Sequence, residues 1–322
     1  MDLRQIIASY PGYAEHIHSS ISELQGEFEA TKKLLLKNLS DENFNAAFQS
    51  FYKIVRIIPL LKSVISIPQI VRGRPNYNGE IFSEKSDISY NSKRPDLIKL
   101  GRFNRVFEPL FYGSLPVESS KLDYVLACAL ECGKELTDQH NPPQVQDFTI
   151  GAWVVETPFD VVTMCFNDKH LIHNPSLKEA VDGYMEAITT ELSSKASDFI
   201  KEFLFFYSNL SSQMSIDEKS YYVLTGLFVA VRYYYKTVEK SKIYGLIYPS
   251  ATTESEGLNI VLTRHAVDNH LRLDKVVMYR YFLEKSSKTY IAHPCSDLVR
   301  VKGDKFVIPN YIPQGNSLRT VF

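Results

Sequence analysis

Hydrophobic residues near the N-terminus recur at steps of three and four, which is the spacing of amphipathic helices. Over residues 13–57 the apolar positions are Ile17, Ile21, Leu24 and Phe28, followed by Phe44, Phe48, Phe51 and Val55. Asp41 stands where the second helix is expected to have its N-cap, and Pro59 and Pro68 end the pattern. We therefore predict a helical extension over residues 1–65, followed by a second unit over residues 66–322.

The rest of the chain mixes helical and β-type patterns without a fixed period. Further helices are predicted from Pro116 onward, over residues 176–208 and over residues 218–236. The β-type runs, rich in Val, Ile and Tyr, occupy residues 110–112, 148–156, 159–166, 243–248, 258–262, 275–283 and 306–309. The second and third of these runs are close enough in sequence to form a hairpin. Because the mixture is irregular rather than a βαβ repeat, we predict an α+β fold.

Composition and charge exclude several classes of protein. The 322 residues carry a net charge of −1, so the chain lacks the basic surplus that is typical of nucleic-acid binding. Its longest apolar run, around residues 221–235, is too short for the roughly 30 Å core of a bilayer. The N-terminus also lacks the pattern of a signal peptide. We therefore expect a cytoplasmic protein that binds neither nucleic acid nor membranes.

The spacing of cysteines and histidines gives no indication of a metal site. Cys128 and Cys132 are four residues apart inside a helical pattern, which is neither a zinc-ligand spacing nor a disulfide framework. The histidines also lack the spacing of metal ligands. We therefore expect reduced thiols and no metal cofactor.

Four short motifs stand out as candidates for a functional site. They are R-G-R with Arg72 and Arg74, G-R-F-N with Arg102 and the later Tyr112, A-L-E with Glu131, and Y-P-S with Ser250. Each has an ordinary explanation when taken singly, because such arginines and glutamates are mostly solvated, tyrosines are mostly core residues and Tyr-Pro-Ser is a common turn. The chain contains no G-x-x-x-x-G-K-[ST] loop, no G-x-G-x-x-G loop and no G-x-S-x-G elbow.

Taken in order, the motifs resemble those of the RES-domain proteins, a family named for its Arg, Glu and Ser. The resemblance covers roughly residues 70–300 and leaves residues 1–60 outside it. It rests on R-G-R, G-R-F-N, P-L-F-Y-G-S, A-L-E, and Y-P-S followed by G-L-N-I-V-L. It implies a mixed sheet like that of ADP-ribosyltransferases, NAD⁺ as the substrate, and a toxin that an antitoxin neutralises.

The resemblance implies a set of residues that bind the dinucleotide. Arg102 and either Arg72 or Arg74 are expected to hold the pyrophosphate, because a guanidinium gives paired hydrogen bonds to phosphate oxygens. The face of Tyr112 is expected to stack on the cationic nicotinamide ring. Asn104, in the same motif as Arg102, is included among the binding residues.

The resemblance also implies a catalytic carboxylate. Cleavage of the nicotinamide–ribose bond leaves an oxocarbenium-like sugar, which a nearby carboxylate stabilises. Glu131 is the expected residue, and Glu118 and Glu135 are alternatives to it. Ser250 is expected to hydrogen-bond the nicotinamide amide or the ribose. Asn259 is expected to support the Tyr-Pro-Ser turn within the binding site.

Three functions remain open at this point. The first is an enzyme that consumes NAD⁺ with water or phosphate as the acceptor. The second is a transferase that passes ADP-ribose to a protein, with the helices of residues 13–57 docking the target. The third is a non-catalytic interaction protein whose partner surface is formed by the aromatic segments 203–207 and 221–235.

Overall fold

The N-terminal helices follow the predicted hydrophobic spacing. The computed structural model describes residues 3–38, 40–67, 69–116, 124–133, 136, 145–213, 218–253, 257–284, 286–287 and 289–311. The first helices are α1 (Leu3–Ser9), α2 (Tyr13–Leu34) and α3 (Asp41–Val55). The N-cap of α3 is Ser40, whose hydroxyl accepts a hydrogen bond from the amide of Asn43 at 3.1 Å. The prediction of Asp41 as N-cap was therefore wrong, because the preceding serine already provides the capping oxygen.

Later helices pack on the first ones and on the sheet. They are α4 (Tyr124–Cys132), α5 (Asp168–Leu171), α6 (Pro175–Glu191), α7 (Ser194–Ser212), α8 (Glu218–Thr237) and α9 (Arg264–His270). The helix predicted over residues 176–208 is in fact two helices, because Ser193 begins a new one and its hydroxyl accepts from the amide of Ala196. The predicted start of α4 near Pro116 involves residues 117–123, which lie outside the described residues. Among the described helices, none has the length and apolar character needed to cross a membrane.

The strands form one mixed sheet. They are β1 (Lys62–Ile65), β2 (Ile70–Asn76), β3 (Phe111–Leu115), β4 (Val145–Val155), β5 (Phe159–Thr163), β6 (Gly245–Pro249), β7 (Leu258–Leu262), β8 (Leu271–Glu284), β9 (Thr289–Pro294) and β10 (Val299–Arg300). Their order is β1-β5-β6-β7-β3-β2-β4-β8-β10, with β9 also paired to β8. The pair β5–β6 is parallel, whereas pairs such as β4–β8 are antiparallel. The predicted α+β class is confirmed.

Two predictions about strands were wrong. β4 and β5 do not form a hairpin, because both sides of β4 are already paired, one with β2 and the other with β8. β5 instead lies between β1 and β6. The run 306–309 is not a strand, since Phe306 and Ile308 are buried in the core as part of an irregular segment. The amide of Phe306 donates to the carbonyl of Ser83, so its backbone pairing is with a loop.

The N-terminal helices and the sheet share one hydrophobic core. Phe28 of α2 packs edge to face on Phe203 of α7 at a centroid distance of 5.7 Å, and Phe51 of α3 packs on Tyr207 at 5.0 Å. All four rings are almost completely buried, so Phe203 and Tyr207 belong to the core rather than to a partner surface. β1, although it precedes residue 66, pairs with β5 in the sheet. The division of the chain at residue 65 stays a prediction.

A buried ion pair joins the two longest strands. Asp147 of β4 stands opposite Arg280 of β8. The guanidinium donates from Nε to Oδ1 at 2.6 Å and from Nη2 to Oδ2 at 2.7 Å. The hydroxyl of Tyr311 also donates to Oδ2, at 2.8 Å. The two charged side chains are only 2–3% exposed, so removing either charge is costly.

Replacing Asp147 by Asn is expected to lower the free energy of unfolding by about 3–5 kcal/mol, because it removes the carboxylate charge that faces the buried Arg280 cation. Urea denaturation of the purified protein measures this change. The control is Asp96→Asn, since the Arg94–Asp96 pair is more than half exposed and surface pairs contribute little. Equal stability of the two variants would contradict the assignment of the buried pair as a structural element.

His170 makes the stability sensitive to mild acid. The side chain of His170 in α5 is fully buried, and neither ring nitrogen has a hydrogen-bond partner among the described residues. Burial, together with the charge of Lys169, lowers the pKa of His170 to about 4 from its usual 6.5. The folded protein therefore keeps this imidazole neutral, whereas the unfolded chain takes up a proton as the pH falls below 6.5.

The free energy of unfolding is expected to fall by up to about 3 kcal/mol through His170 alone as the pH drops from 6.5 to 4. The stabilisation is complete above pH 6.5 and is lost toward the folded pKa. Denaturation curves across this range, for the protein and for His170→Leu, isolate the contribution. The difference in the free energy of unfolding between the two proteins is expected to change with pH. Parallel curves of this free energy against pH would refute the contribution of His170.

Candidate active site

A cavity of about 270 Å³ opens beside the middle of the sheet. Six of the eight residues predicted for the site line it: Arg72, Arg102, Asn104, Tyr112, Glu131 and Asn259. Ser250 reaches the cavity through a hydrogen bond to Glu131. Arg74 does not line the cavity. The predicted alternatives Glu118 and Glu135 lie outside the described residues.

The order of the strands explains how distant residues meet. β2, β3, β7 and β6 are consecutive neighbours in the sheet. Ser114 of β3 stands opposite Val71 of β2 on one side and Asn259 of β7 on the other, and Asn259 stands opposite Tyr248 of β6. The motifs around residues 72, 112, 248 and 259 are therefore parts of one continuous surface.

Gly73 lets helix α4 approach the sheet closely enough to bring Glu131 to this surface. A Cβ atom at Gly73 would lie 2.9 Å from the sulfur of Cys132 and 3.0 Å from Cδ1 of Ile150. Such distances are closer than van der Waals contact, so a side chain there would push α4 away. The glycine in the R-G-R motif is thus a packing requirement.

Glu131 is held by the segment that follows β6. Its Oε1 accepts hydrogen bonds from the Ser250 hydroxyl at 2.5 Å and from the Ala251 amide at 2.9 Å. The amide and hydroxyl of Thr252 add bonds to the same oxygen at 3.3 and 3.1 Å. Because these donors meet at one oxygen, they fix the orientation of the carboxylate at the cavity wall. Ser250 itself is fully buried, so its hydroxyl positions Glu131.

The structure separates the two arginines between which the sequence left the choice open. Arg72 lines the cavity, where its Nη1 donates to the carbonyl of Tyr112 at 2.5 Å and its Nε donates to the carbonyl of Ser89 at 3.2 Å. Burial lowers the pKa of Arg72 below its usual value, but an arginine stays cationic in proteins. Arg74 is exposed and lies over the ring of Phe82, 4.3 Å from its centroid.

Arg102 brings a second cation to the cavity. Its Nη1 donates to the carbonyl of Ser211 in the last turn of α7. Its guanidinium lies 5.8 Å from the centroid of the Tyr248 ring, which also lines the cavity. A cation at the C-terminus of a helix is favourable, because unpaired carbonyl groups concentrate negative potential there.

Tyr112 holds the loop that carries Arg102. Its hydroxyl donates to Oδ1 of Asn104 at 2.9 Å and accepts from the amide of Phe103 at 3.1 Å. Burial raises the pKa of Tyr112 above its usual value. Asn104 in turn donates to the carbonyl groups of Lys99 and Arg105. These bonds make Tyr112 and Asn104 the framework of the loop, in addition to their place in the cavity wall.

Asn259 provides an open hydrogen-bond donor. Its Oδ1 accepts from the hydroxyl of Ser114 at 3.0 Å, which fixes the orientation of the amide group. Its Nδ2 is buried and has no hydrogen-bond partner among the described residues. A buried donor without a partner is costly, so its presence in a cavity wall indicates a site for a ligand acceptor.

Sequence reasoning missed several residues that line the cavity: Ser114, Cys128, Cys132, Tyr221 and Tyr248 as a wall residue. Tyr221 belongs to the first turn of α8 and is half-buried. Its position in the apolar run 221–235 indicated only a buried helix, and nothing in that pattern marks Tyr221 as the tyrosine that lines the cavity. Ser114 ended a motif but carried no signal of its own.

Comparison with known proteins assigns no family. No family model matches the chain, and no curated protein matches it. Among the described residues, no group of three or more His, Cys, Asp or Glu side chains is arranged to hold a metal ion. The residues of the cavity are therefore the features that indicate a function.

Replacing Tyr112 by Phe is expected to lower the free energy of unfolding by about 1–3 kcal/mol, because it leaves the buried amide of Phe103 without its acceptor. Tyr221→Phe is the control, because it also removes a tyrosine hydroxyl from the cavity wall. Among the described residues, the hydroxyl of Tyr221 makes no hydrogen bond. Chemical denaturation compares the two. If both variants unfold like the parent, Tyr112 is not the framework of this loop.

Proposed function

We propose that the protein binds NAD⁺ in this cavity and cleaves the bond between nicotinamide and ribose, with water or phosphate as the acceptor. The observation that carries the proposal is the fixed carboxylate of Glu131, which shares one cavity with the cations of Arg72 and Arg102. The resemblance of the motifs to RES-domain proteins supports it independently of the geometry, because the resemblance depends on sequence order alone.

The charges of the cavity suit a dinucleotide. Two guanidinium groups and one carboxylate give the wall a positive excess, which favours an anionic ligand such as a pyrophosphate. A phosphate oxygen that reaches Arg72 or Arg102 exchanges a neutral carbonyl partner for a charged one. Charge-assisted hydrogen bonds are about twice as strong as neutral ones, so the exchange is favourable.

The uncharged groups suit the nicotinamide end. The free Nδ2 of Asn259 is a donor for the carbonyl oxygen of the nicotinamide carboxamide. The half-buried ring of Tyr221 offers an aromatic face to the cationic pyridinium. Tyr221 adds to the stacking that the resemblance implies for Tyr112, which also lines the cavity and whose hydroxyl is bound into the 99–105 loop.

Glu131 supplies the chemistry at the sugar. As the glycosidic bond lengthens, positive charge develops on the ribose and neutral nicotinamide leaves. A carboxylate in a fixed orientation stabilises that charge without having to reorganise during the reaction. Ser250 acts through Glu131 as a positioning residue, because its hydroxyl is bonded to Oε1 and its side chain is fully buried.

Release of nicotinamide from NAD⁺ by the purified protein tests the proposal, and Glu131→Gln tests the site. The amide retains the size and one oxygen acceptor but loses the negative charge, so the rate of release is expected to fall about 10²- to 10³-fold. The control is Glu156→Gln, at an exposed glutamate that does not line the cavity. A protein that releases no nicotinamide, or equal rates for both variants, would reject the proposal.

The same assay distinguishes the acceptors. With labelled NAD⁺ in buffer, free ADP-ribose indicates water, and a phosphorylated product that requires added phosphate indicates phosphate. With cell lysate added, labelled protein bands would assign the cavity to a protein ADP-ribosyltransferase instead. An antitoxin, the partner that the resemblance implies, would suppress all of these products if it covers the cavity.

A further inference from the structure

Two cysteines lie in the cavity wall and have no part in the proposed reaction. Cys128 and Cys132 occupy the last two turns of α4, with Glu131 between them in the chain. Cys128 is buried and Cys132 is half-buried. Both sulfur atoms approach Gly73, since a Cβ placed there would lie 2.9 Å from one and 3.5 Å from the other. The two thiols therefore lie next to the same residue of β2, Gly73.

The surroundings make the two thiols chemically different. A hydrogen bond from Cys132 lowers the pKa of the Cys128 thiol, burial opposes that effect, and the charge of Arg72 adds to it. The same interaction and burial raise the pKa of Cys132. Thiolates are the reactive form of cysteine, and the charge of Arg72 favours the thiolate at both sulfur atoms. Burial raises the pKa of Cys165 and Cys295 without any thiol partner, which makes those two inert by comparison.

We propose that Cys128 and Cys132 are a site of oxidative modification, at which a peroxide joins them in a disulfide that displaces Glu131 from Ser250. The thiolate of one of the two cysteines attacks one peroxide oxygen, the O–O bond breaks, and a sulfenic acid forms as hydroxide leaves. The sulfur of the other cysteine then attacks the sulfenic sulfur, loses its proton and expels water. Two thiols give up two electrons, and one hydrogen peroxide becomes two waters.

The displacement follows from helix geometry. Cβ atoms four residues apart in a helix are about 5–6 Å from each other, whereas a disulfide requires about 3.5–4.5 Å. Closing the bond must therefore distort the last turn of α4, which contains Glu131. The bonds to Oε1 from Ser250, Ala251 and Thr252 cannot all survive that distortion. A disulfide closed under strain is readily reduced, so the change is reversible.

Intact-mass measurement and peptide mapping test the covalent step. The full chain, fully reduced, is treated with increasing hydrogen peroxide. We expect the loss of two hydrogen masses and a peptide in which Cys128 is linked to Cys132. Cys165 and Cys295 serve as internal controls and are expected to remain thiols, because both are buried outside the cavity wall. Cys132→Ser is expected to prevent the link, and oxidation without a link in the parent protein would overturn the proposal.

Hydrogen–deuterium exchange tests the displacement without relying on NAD⁺. The amides of Ala251 and Thr252 donate to Glu131, so oxidation is expected to speed exchange in the peptide that contains them. Reduction with dithiothreitol is expected to restore the slow exchange. Glu131→Ala is expected to show fast exchange already in the reduced state, and Cys132→Ser is expected to show no change with peroxide. A linked protein whose exchange at these amides is unaltered would overturn the proposal.

The consequence for activity rests on the proposed function, but the modification itself does not. If NAD⁺ is cleaved, the oxidised protein is expected to release nicotinamide more slowly, and dithiothreitol to restore the rate. If no nicotinamide is released while the link and the exchange change are observed, the proposed function fails and this inference stands. If nicotinamide is released and no link forms, this inference fails and the proposed function stands.

Discussion

The hydrogen bonds that converge on one oxygen of Glu131 are the interaction on which the cavity depends. They join the end of α4 to the segment after β6, two parts of the chain that are more than a hundred residues apart. A helix end and a loop are both structures that fray easily. Joined in this way, each limits the motion of the other, and the carboxylate between them is held in one orientation.

The local features of the fold were predictable because they depend on spacing within one segment. Ile17, Ile21, Leu24 and Phe28 are all buried, as their period of three and four indicated. Pairing between strands was not predictable in the same way. The expected β4–β5 hairpin failed because β2 and β8, which are distant in sequence, take both sides of β4, and no pattern within residues 148–166 contains that information.

The residues of the candidate site were likewise predictable only where the information lies within one segment of the chain. Motif order pointed to Arg102 and Glu131, which line the cavity, but residues 72 and 74 point to the same face of a strand, so only the structure could separate the two arginines of the R-G-R motif. Arg74 lies farther along β2 beside Phe82, whereas Arg72 lies where β3 and α4 meet. The open donor of Asn259 was beyond sequence reasoning, because it exists only through the register that places Ser114 opposite it.

The bond between Arg102 and Ser211 ties the occupancy of the cavity to the helical layer. An anion that draws the Arg102 guanidinium into the cavity competes with the carbonyl of Ser211 in the last turn of α7. That carbonyl must then accept a hydrogen bond from water instead. The same helix packs through Phe203 and Tyr207 against α2 and α3. The N-terminal helices are therefore connected through α7 to Arg102 in the cavity wall, so a molecule that binds to these helices can affect the position of that guanidinium.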